Sequence, residues 1–245
     1  MSFAIISDIH VKHNQDFSYQ LLLNFLNHPK IREAQEIILL GDIFDLMVGP
    51  HKNYLSSYSL FFNHLHHLLK LGKKIHYFEG NHDMHLEKLF IKEFSSQNHQ
   101  FFLHKKFWQI NRWGKNYFFS HGDDIEPENY SYKIYKWFVT SWVANFLANY
   151  IVSHKVLHKL GEKASEKSRK SYVLSPENIL QIREKFRKGA RKFFAKNLDF
   201  IICGHSHVVD FYVEQQKTYI NNGYAPQSQT FIFIDENKIE IVPLT

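Results

Sequence analysis

Five short apolar runs in this sequence each end in a glycine or serine that stands beside aspartate, asparagine or histidine. The five run ends are Ser7-Asp8-Ile9-His10, Gly41-Asp42, Gly80-Asn81-His82-Asp83, Ser120-His121-Gly122-Asp123 and Gly204-His205-Ser206-His207. Any one of them is a weak signal in a chain with 17 histidines. Together, five strand ends that carry metal-ligating side chains predict one site assembled from the whole chain.

The first third of the chain alternates strand patterns with helical ones. Residues 3–7, 36–40 and 74–79 are predicted strands, and residues 17–28 and 55–71 have apolar side chains at helical spacing. This order is typical of an α/β domain with short loops at the strand ends.

The second part of the chain is richer in strands and is predicted to be mostly antiparallel. A hairpin is expected where Arg112-Trp113-Gly114 joins two strand patterns. Ser175-Pro176-Glu177-Asn178 predicts a helix start, with Ser175 as the cap and Pro176 in the first turn. The predicted strands are residues 106–111, 115–120, 198–203, 217–221, 230–234 and 238–242.

The region of about residues 125–196 is predicted to be a helical insertion within a single domain of residues 1–245. It holds 15 lysines and arginines against 6 glutamates, and this balance of 15 − 6 = +9 exceeds the net charge of +6 of the whole chain. Such a local excess suits a phosphate group, a nucleic acid or an anionic membrane surface. Its aromatic stretch, residues 130–152, overlaps an uncharged run of 17 residues (137–153), whereas a spanning helix needs about 20. We expect a helix at a membrane interface, a lid over an apolar pocket, or a helical hairpin packed on its own core.

Cysteine content and the first residues bear on the compartment. Cys203 is the only cysteine, so the chain has no disulfide framework of its own, which suits a reducing compartment. The first ligand motif follows Met1-Ser2-Phe3 too closely to leave room for a signal peptide. A cytoplasmic location is therefore expected.

The side chains at the strand ends offer oxygen and nitrogen ligands for metal. They are Asp8, His10, Asp42, Asn81, His121, His205 and His207. Seven ligands are too many for one tetrahedral ion and enough for two ions that share a carboxylate, for which Asp42 is the natural bridge. Imidazole and carboxylate without thiolate suit Mn, Fe or Zn. Two divalent ions about 4 Å apart can clamp a phosphoryl group and activate a water for in-line attack on phosphorus.

These motifs, in this order and over almost the whole chain, resemble the calcineurin-like metallophosphoesterase superfamily. The resemblance implies an α/β fold, a four-layer α/β-β/α sandwich of two mixed sheets with a helical cap insertion. It implies two divalent ions, with Mn²⁺ expected first and Fe or Zn as alternatives. The implied ligands are Asp8, His10, Asp42 and His207 for one ion, and Asp42, Asn81, His121 and His205 for the other.

The same resemblance implies roles for residues that do not ligate metal. His82 takes the place of the histidine that protonates the leaving oxygen or stabilises the transition state. Asp45 is a candidate to orient the His82 imidazole, and Asp83 is expected to lie behind the ligands.

Within the superfamily, the chain resembles the bacterial UDP-2,3-diacylglucosamine pyrophosphatases of lipid A biosynthesis in length, in its start at the first motif and in its helical insertion. The implied reaction releases UMP and 2,3-diacylglucosamine 1-phosphate from a lipid-linked sugar nucleotide. The implied setting is the inner-membrane surface, with peripheral association and no obligate protein partner. The Ser- and Lys-rich run 163–171 lies where that family binds the glucosamine and phosphate groups, which implies as substrate-binding residues Lys163, Ser165, Lys167 and Lys170.

One departure leaves alternatives open. The lipid A enzymes commonly have Gly-Asn-Arg-Asp where this chain has Gly80-Asn81-His82-Asp83, the pattern of the wider superfamily. A phosphodiesterase or phosphatase acting on nucleotides, phosphoproteins or nucleic acid is one alternative, although nucleic acid is disfavoured because a contiguous aromatic stripe suits acyl chains better than stacked bases. A non-catalytic scaffold of the same fold is the other, but such scaffolds lose ligands, and none is missing here.

Overall fold

The protein, seen in a computed structural model, is built from mixed β-sheets and helices. The structure describes residues 1–127, 141, 144, 146 and 175–244. The strands of this part are β1 (Phe3–Ile6), β2 (Glu36–Leu39), β3 (Met47–Val48), β4 (Lys74–Phe78), β5 (Asp83–Met84), β6 (Phe101–His104), β7 (Trp108–Arg112), β8 (Lys115–Phe119), β9 (Phe200–Cys203), β10 (Asp210–Glu214), β11 (Lys217–Asn221), β12 (Thr230–Ile234) and β13 (Ile239–Pro243). The α-helices are α1 (Phe17–Asn27), α2 (Pro29–Glu33), α3 (Asn53–Ser57), α4 (Ser59–Lys70), α5 (Glu87–Glu93), α6 (Pro176–Phe194) and α7 (Ala225–Ser228).

Two mixed sheets carry the fold. The first has the strand order β13-β12-β1-β2-β4-β6, in which β1, β2, β4 and β6 run parallel. The second has the order β10-β11-β9-β8-β7, in which β8, β9 and β11 run parallel. Neighbouring parallel strands end at the same edge of a sheet, so each sheet brings its ligand motifs together at one edge.

Burial of both faces of the strands explains their continuous apolar runs. In β1, Ala4 and Ile6 belong to the core cluster that includes α1 and α4, whereas Phe3 and Ile5 pack between the two sheets. A third cluster joins the second sheet to α6, where Phe186 meets strands β8 and β9. Strands buried on both faces read as apolar runs without alternation. The predicted four-layer α/β-β/α sandwich is therefore confirmed over the described residues.

The sequence signals for the start of α6 and for the hairpin between β7 and β8 agree with the structure. The Ser175 hydroxyl accepts a hydrogen bond from the Asn178 amide at 3.2 Å, and Pro176 is the first residue of α6, as predicted. The hairpin between β7 and β8 turns at Trp113-Gly114, whose φ angles of 51° and 69° are those of a tight two-residue turn.

One predicted helix was wrong in its extent, and strands β6 and β10 were not predicted. The single helix predicted over 55–71 is divided into α3 and α4 at Tyr58, whose backbone leaves the helical region with φ −118° and ψ 38°. The tertiary contacts of Tyr58 hold it there, since its hydroxyl donates to the Lys12 carbonyl at 3.1 Å and its ring packs on Phe44. Strand β6 was not predicted, because residues 101–104 are short and show no alternation between apolar and polar side chains.

Most of the predicted insertion lies outside the described residues. The residues outside the described part include most of the aromatic stretch 130–152 and the substrate-binding candidates Lys163, Ser165, Lys167 and Lys170. Helix α6 covers the last part of the region. The single-domain organisation with an insertion at about 125–196 stays a prediction.

Candidate metal centre

The ligand side chains leave the strand ends through unusual backbone conformations. A positive φ is uncommon for residues other than glycine, and it persists where the surrounding structure imposes it, often at functional sites. The ligand candidates with positive φ are Asp8 (52°), His10 (52°), Asp42 (51°), His205 (68°) and His207 (57°). The turns at the ends of β1, β2 and β9 therefore aim these side chains by means of strained backbone.

One group of ligand atoms belongs to Asp8, His10, Asp42 and His207, all within 4.8 Å of one another. His10 Nε2 and His207 Nε2 are 3.1 Å apart, and His207 Nε2 lies 3.3 Å from Asp8 Oδ1. His10 Nε2 lies 3.7 Å from Asp42 Oδ2. Asp8, His10 and Asp42 are almost fully buried. Two imidazoles and two carboxylates that converge in this way suit a divalent transition-metal ion.

A second group forms around His121 and shares Asp42 Oδ2 with the first group. His121 Nε2 lies 3.4 Å from Asp42 Oδ2, 3.1 Å from Asn81 Oδ1 and 3.2 Å from His205 Nδ1. His121 Nδ1 donates to the Leu40 carbonyl at 3.1 Å, which leaves Nε2 to act as an acceptor in the neutral ring. When the His121 ring is neutral, its Nε2, Asp42 Oδ2 and Asn81 Oδ1 are therefore acceptor atoms that face one another. The structure brings all seven predicted ligands together, in two groups that share Asp42.

Close packing of the turns depends on two glycines. A Cβ atom on Gly80 would lie 2.2 Å from Asp42 Oδ1, and one on Gly204 would lie 2.2 Å from Asp8 Oδ2. Only glycine lets the backbone approach a carboxylate this closely. The amides of Asn81 and His82 each donate to Asp42 Oδ1 at 2.9 Å, so Oδ2 is the oxygen that faces the two histidine groups.

The electrostatics of the centre favour a cation. Burial opposes ionisation of Asp42, but His121, His82 and His10 hold the pKa of its carboxyl well below the ordinary value. Burial likewise opposes a charge on His121, yet the carboxylates of Asp42 and Asp8 raise the pKa of its imidazole to about 10. The buried negative charge therefore draws positive charge to the point where the ligand atoms converge. The residues present fit a pair of divalent ions.

Asp83 ties the turns after β2 and β4 together. Its carboxylate accepts hydrogen bonds from the amides of Asp42 (3.0 Å), Ile43 (2.8 Å) and Gly80 (2.8 Å) and from the Tyr77 hydroxyl (2.6 Å). Burial and the charge of Asp42 raise the pKa of Asp83 to about 7, while its hydrogen-bond donors favour the charged form. Asp83 lies behind the ligands, where it fixes the backbone that carries Asp42 and Asn81.

His82 and Asp45 lie beside the first group. His82 Nδ1 donates to the backbone carbonyl of Asp45 at 2.9 Å, whereas the Asp45 carboxylate is 3.9 Å from His82 Nδ1 and 3.5 Å from His10 Nδ1. Burial lowers the pKa of His82, but Asp42 and the Asp45 carbonyl outweigh burial and raise it. The orientation of His82 thus depends on the main chain of Asp45 more than on its side chain.

The basic residues of α6 are largely occupied within the protein. Arg183 donates to the Val209 carbonyl, Arg187 makes two hydrogen bonds to Asp210, and Arg191 binds Glu214. Lys185 pairs with Glu126 at 2.6 Å. The charge excess of residues 125–196 is therefore used in part to attach α6 to the second sheet.

Sequence reasoning missed Glu126, which lies beside the second ligand group. Glu126 Oε2 lies 3.6 Å from His205 Nε2. The Tyr224 ring stacks on His207 with the centroids 5.4 Å apart and also contacts His10. Glu126 comes three residues after Asp123, but a single acidic residue in a loop has no pattern that distinguishes it.

Fold and site together define a metal-dependent phosphoesterase. The sequence model of the calcineurin-like phosphoesterase family matches residues 1–209, and the chain belongs to this family. The family is dinuclear and metal-dependent, and the ligand cluster is a potential site for the ions.

Individual relatives have low sequence identity to this chain. The UDP-2,3-diacylglucosamine hydrolase of Aliivibrio fischeri (strain MJ11) is 27% identical over 151 residues, which is 59% of this chain and 59% of that protein. The chain thus matches about three fifths of this relative's length. Among solved structures, an archaeal phosphodiesterase has a TM-score of 0.50 at 14% identity over 99% of both chains, which supports the fold. Zinc-bound Vps29 from Entamoeba histolytica has a TM-score of 0.42 at 14% identity over 100% of both chains.

Within residues 1–127 and 175–244, no helix combines the length and the apolar character that crossing a bilayer requires.

Proposed function

We propose that the chain is a dinuclear-metal hydrolase that cleaves the diphosphate of UDP-2,3-diacylglucosamine to UMP and 2,3-diacylglucosamine 1-phosphate. The convergence of seven ligand side chains from five strand ends around Asp42 carries the proposal of a dinuclear hydrolase. The name of the Aliivibrio fischeri relative, together with the basic and aromatic composition of residues 125–196, supports the choice of substrate.

In this proposal the two ligand groups would each hold one divalent ion, with Asp42 shared between them. Asp8, His10 and His207 complete one group, and Asn81, His121 and His205 complete the other. Bound ions would supply Lewis-acid charge for the phosphoryl oxygens and lower the pKa of a water. Mn²⁺ is expected first, with Fe or Zn as alternatives, because the donors are imidazoles, carboxylates and an amide.

His82 is the proposed proton donor. Its Nδ1 hydrogen is committed to the Asp45 carbonyl, and its raised pKa favours the form in which Nε2 also carries a proton. Hydrolysis adds the water oxygen to one phosphorus and releases the other phosphate, whose bridging oxygen takes up a proton. The half-buried His82 at the edge of the centre is suited to deliver that proton or to stabilise the developing charge.

In this proposal the substrate would bind to residues of the region 125–196. A doubly acylated sugar nucleotide needs cationic groups for its diphosphate and apolar surface for its acyl chains, and this region has both kinds of residue. Lys163, Ser165, Lys167 and Lys170 are the proposed contacts to the glucosamine and phosphate groups. Such a substrate lies in a bilayer, so we propose a cytoplasmic protein that associates peripherally with the inner membrane.

Release of UMP from UDP-2,3-diacylglucosamine in the presence of Mn²⁺ tests the substrate. Bis(p-nitrophenyl) phosphate is the generic control. We expect UMP release at a rate far above turnover of the control. Turnover of bis(p-nitrophenyl) phosphate alone would support the proposed hydrolase activity and would exclude the lipid as its substrate.

Substitution of the ligands tests the hydrolase itself. Asp42→Ala and His121→Ala should abolish turnover of both compounds, because each removes a donor at the convergence point. His67→Ala, exposed on α4, is the matched control and should retain activity. Near-normal turnover in either ligand variant would contradict the proposed centre.

A second candidate is a phosphoesterase for another phosphodiester or phosphomonoester. The observation that favours it is His82 at a position where the lipid A enzymes commonly have arginine. If only the generic compound is hydrolysed, nucleotides and phosphoproteins are the next substrates to test, with nucleic acid after them.

A further inference from the structure

Glu126 stands between the second ligand group and α6. Its Oε2 lies 3.6 Å from His205 Nε2, and its Oε1 lies 2.6 Å from Lys185 Nζ. The Glu126 and His205 side chains are only 11% and 14% exposed, respectively. We propose that Glu126 is a positioning residue that holds the His205 ring with Nδ1 directed into the metal centre, and that Lys185 in turn holds Glu126. This inference rests on the proposed dinuclear centre.

The turn after β8 delivers Glu126 to this place. The amides of Ile125 and Glu126 both donate to the Gly122 carbonyl, at 3.0 and 3.2 Å, which folds the chain back directly after the His121 ligand. The Ile125 carbonyl then lies against α6 at Gly189, where a Cβ atom would be 2.0 Å away. Because Gly189 has no side chain, α6 packs directly on this turn and brings Lys185 to Glu126.

The two nitrogens of His205 face different groups. Nδ1 lies 3.2 Å from His121 Nε2, at the point where the second ligand group converges, whereas Nε2 faces Glu126. A carboxylate beside one imidazole nitrogen favours the tautomer with the proton on that nitrogen. The other nitrogen then has its lone pair free for a metal ion. Groups that orient a ligand in this way commonly contribute about 10–100-fold to metal affinity.

The two oxygens of Glu126 therefore have separate roles. Oε1 pairs with Lys185 and Oε2 faces the side of His205 that is remote from the ligand group. This places the Glu126 carboxylate behind the ligand and not among the ligand atoms. It also connects α6, at the end of the basic region, to the metal centre through the contacts of Glu126 with Lys185 and His205.

Mn²⁺ binding to the metal-free, full-length protein tests the proposal. Titration calorimetry should give two ions for the wild type, and Glu126→Ala should weaken one of them by about 10–100-fold. Glu214→Gln is the matched control, because Glu214 also binds a basic residue of α6, Arg191, but lies on β10 away from the ligands. The control should bind both ions with wild-type affinity.

Lys185→Ala tests the second step. If Lys185 acts through Glu126, it should weaken the same ion, and the double variant should bind no more weakly than Glu126→Ala alone. Additive losses would overturn the role of Lys185. Unchanged affinity for both ions in Glu126→Ala would overturn the role of Glu126.

Thermal unfolding of the metal-free variants separates positioning from folding. Glu126→Ala and Glu214→Gln should unfold at similar temperatures without metal, so that only the Mn²⁺ affinity distinguishes them. If Glu126→Ala is unfolded, Glu126→Gln replaces it, and a two-ion titration identical to the wild type would overturn the inference. A wild type that binds no Mn²⁺ would overturn the proposed centre together with this inference, whereas two ions bound with wild-type affinity in all variants would overturn the inference alone.

Discussion

Each oxygen of Asp42 has its own set of partners. Oδ1 accepts hydrogen bonds from two main-chain amides of the turn after β4, and Oδ2 faces His10 and His121. Sequence reasoning identified Asp42 as the natural bridge because of its residue type and its place after a strand. Which oxygen binds the amides and which faces the histidines could not be predicted from the sequence, since this depends on the approach of the turn after β4.

His82 is expected to act in proton transfer and not in metal binding. His82→Ala should lower turnover by about 10²–10⁴, because it removes the proposed proton donor. Mn²⁺ stoichiometry should stay at two, since the His82 amide, and not its side chain, binds Asp42. Steady-state kinetics with parallel metal analysis would check both. Loss of a metal ion in His82→Ala would place the imidazole among the ligands.

Residue types and order predicted the ligand set, and the structure brings its members together. The positive φ angles at five of the ligands have no signature in the sequence, because residues other than glycine adopt them only when packing imposes them. The orientation of His82 by the Asp45 main chain was also hidden, since any residue at position 45 supplies a carbonyl.

At the level of elements, β3 and β5 join the turns that carry the ligands. They pair through Met47 and Asp83, and the Asp83 carboxylate binds amides of both turns. The turn after β2 and the turn after β4 therefore behave as one unit. Strands of two residues carry no usable periodicity, which explains why this small sheet was not predicted.

Asp83 is expected to stabilise this unit. Asp83→Asn replaces a buried acceptor of main-chain amides with a group that is half donor, and it should lower the free energy of unfolding by about 1.5–3 kcal/mol. Tyr77→Phe removes a single hydrogen bond to the same carboxylate and should cost about 1 kcal/mol. Urea unfolding would compare them, and equal losses in the two variants would contradict this role.

The contact between α6 and the turn after β8 is expected to tolerate only glycine at position 189. Alanine normally stabilises a helix by about 1 kcal/mol over glycine, but here its Cβ would meet the Ile125 carbonyl at 2.0 Å. Gly189→Ala should therefore lower the free energy of unfolding by about 1–3 kcal/mol. Lys192→Ala, exposed on the same helix, is the control in urea unfolding. A more stable Gly189→Ala would show that α6 does not pack so closely.

At the level of the whole molecule, a buried polar network joins the edges of the two sheets. His76 binds Glu36 and His104 at 3.0 Å each, and Arg112 of the second sheet binds the other oxygen of Glu36 at 3.1 Å. Sequence patterns predicted the sheets and the resemblance implied their four layers. This network was not predicted, because it depends on the pairing of β4 with β2 and β6 and on the contact of Arg112 from the second sheet, for which the sequence has no local signal.

The network predicts acid sensitivity of the fold. Burial and His76 lower the pKa of His104 from an ordinary 6.5 to about 4, so the unfolded chain takes up a proton that the folded protein refuses. The contribution of neutral His104 to the free energy of unfolding is complete above pH 6.5 and is lost as the pH falls from about 6.5 to about 4. Chemical unfolding of metal-free protein across this range should show a shallower pH dependence for His104→Gln. His67→Gln, exposed on α4, should keep the wild-type slope, and an unchanged slope in His104→Gln would contradict the assignment.

Anomalous X-ray diffraction from crystals grown with Mn²⁺ would test the dinuclear centre most directly. We expect two anomalous peaks, one on each side of the Asp42 carboxylate, the first among Asp8, His10 and His207 and the second among Asn81, His121 and His205. A single peak, or two peaks that do not share Asp42, would contradict a dinuclear centre built from these seven side chains.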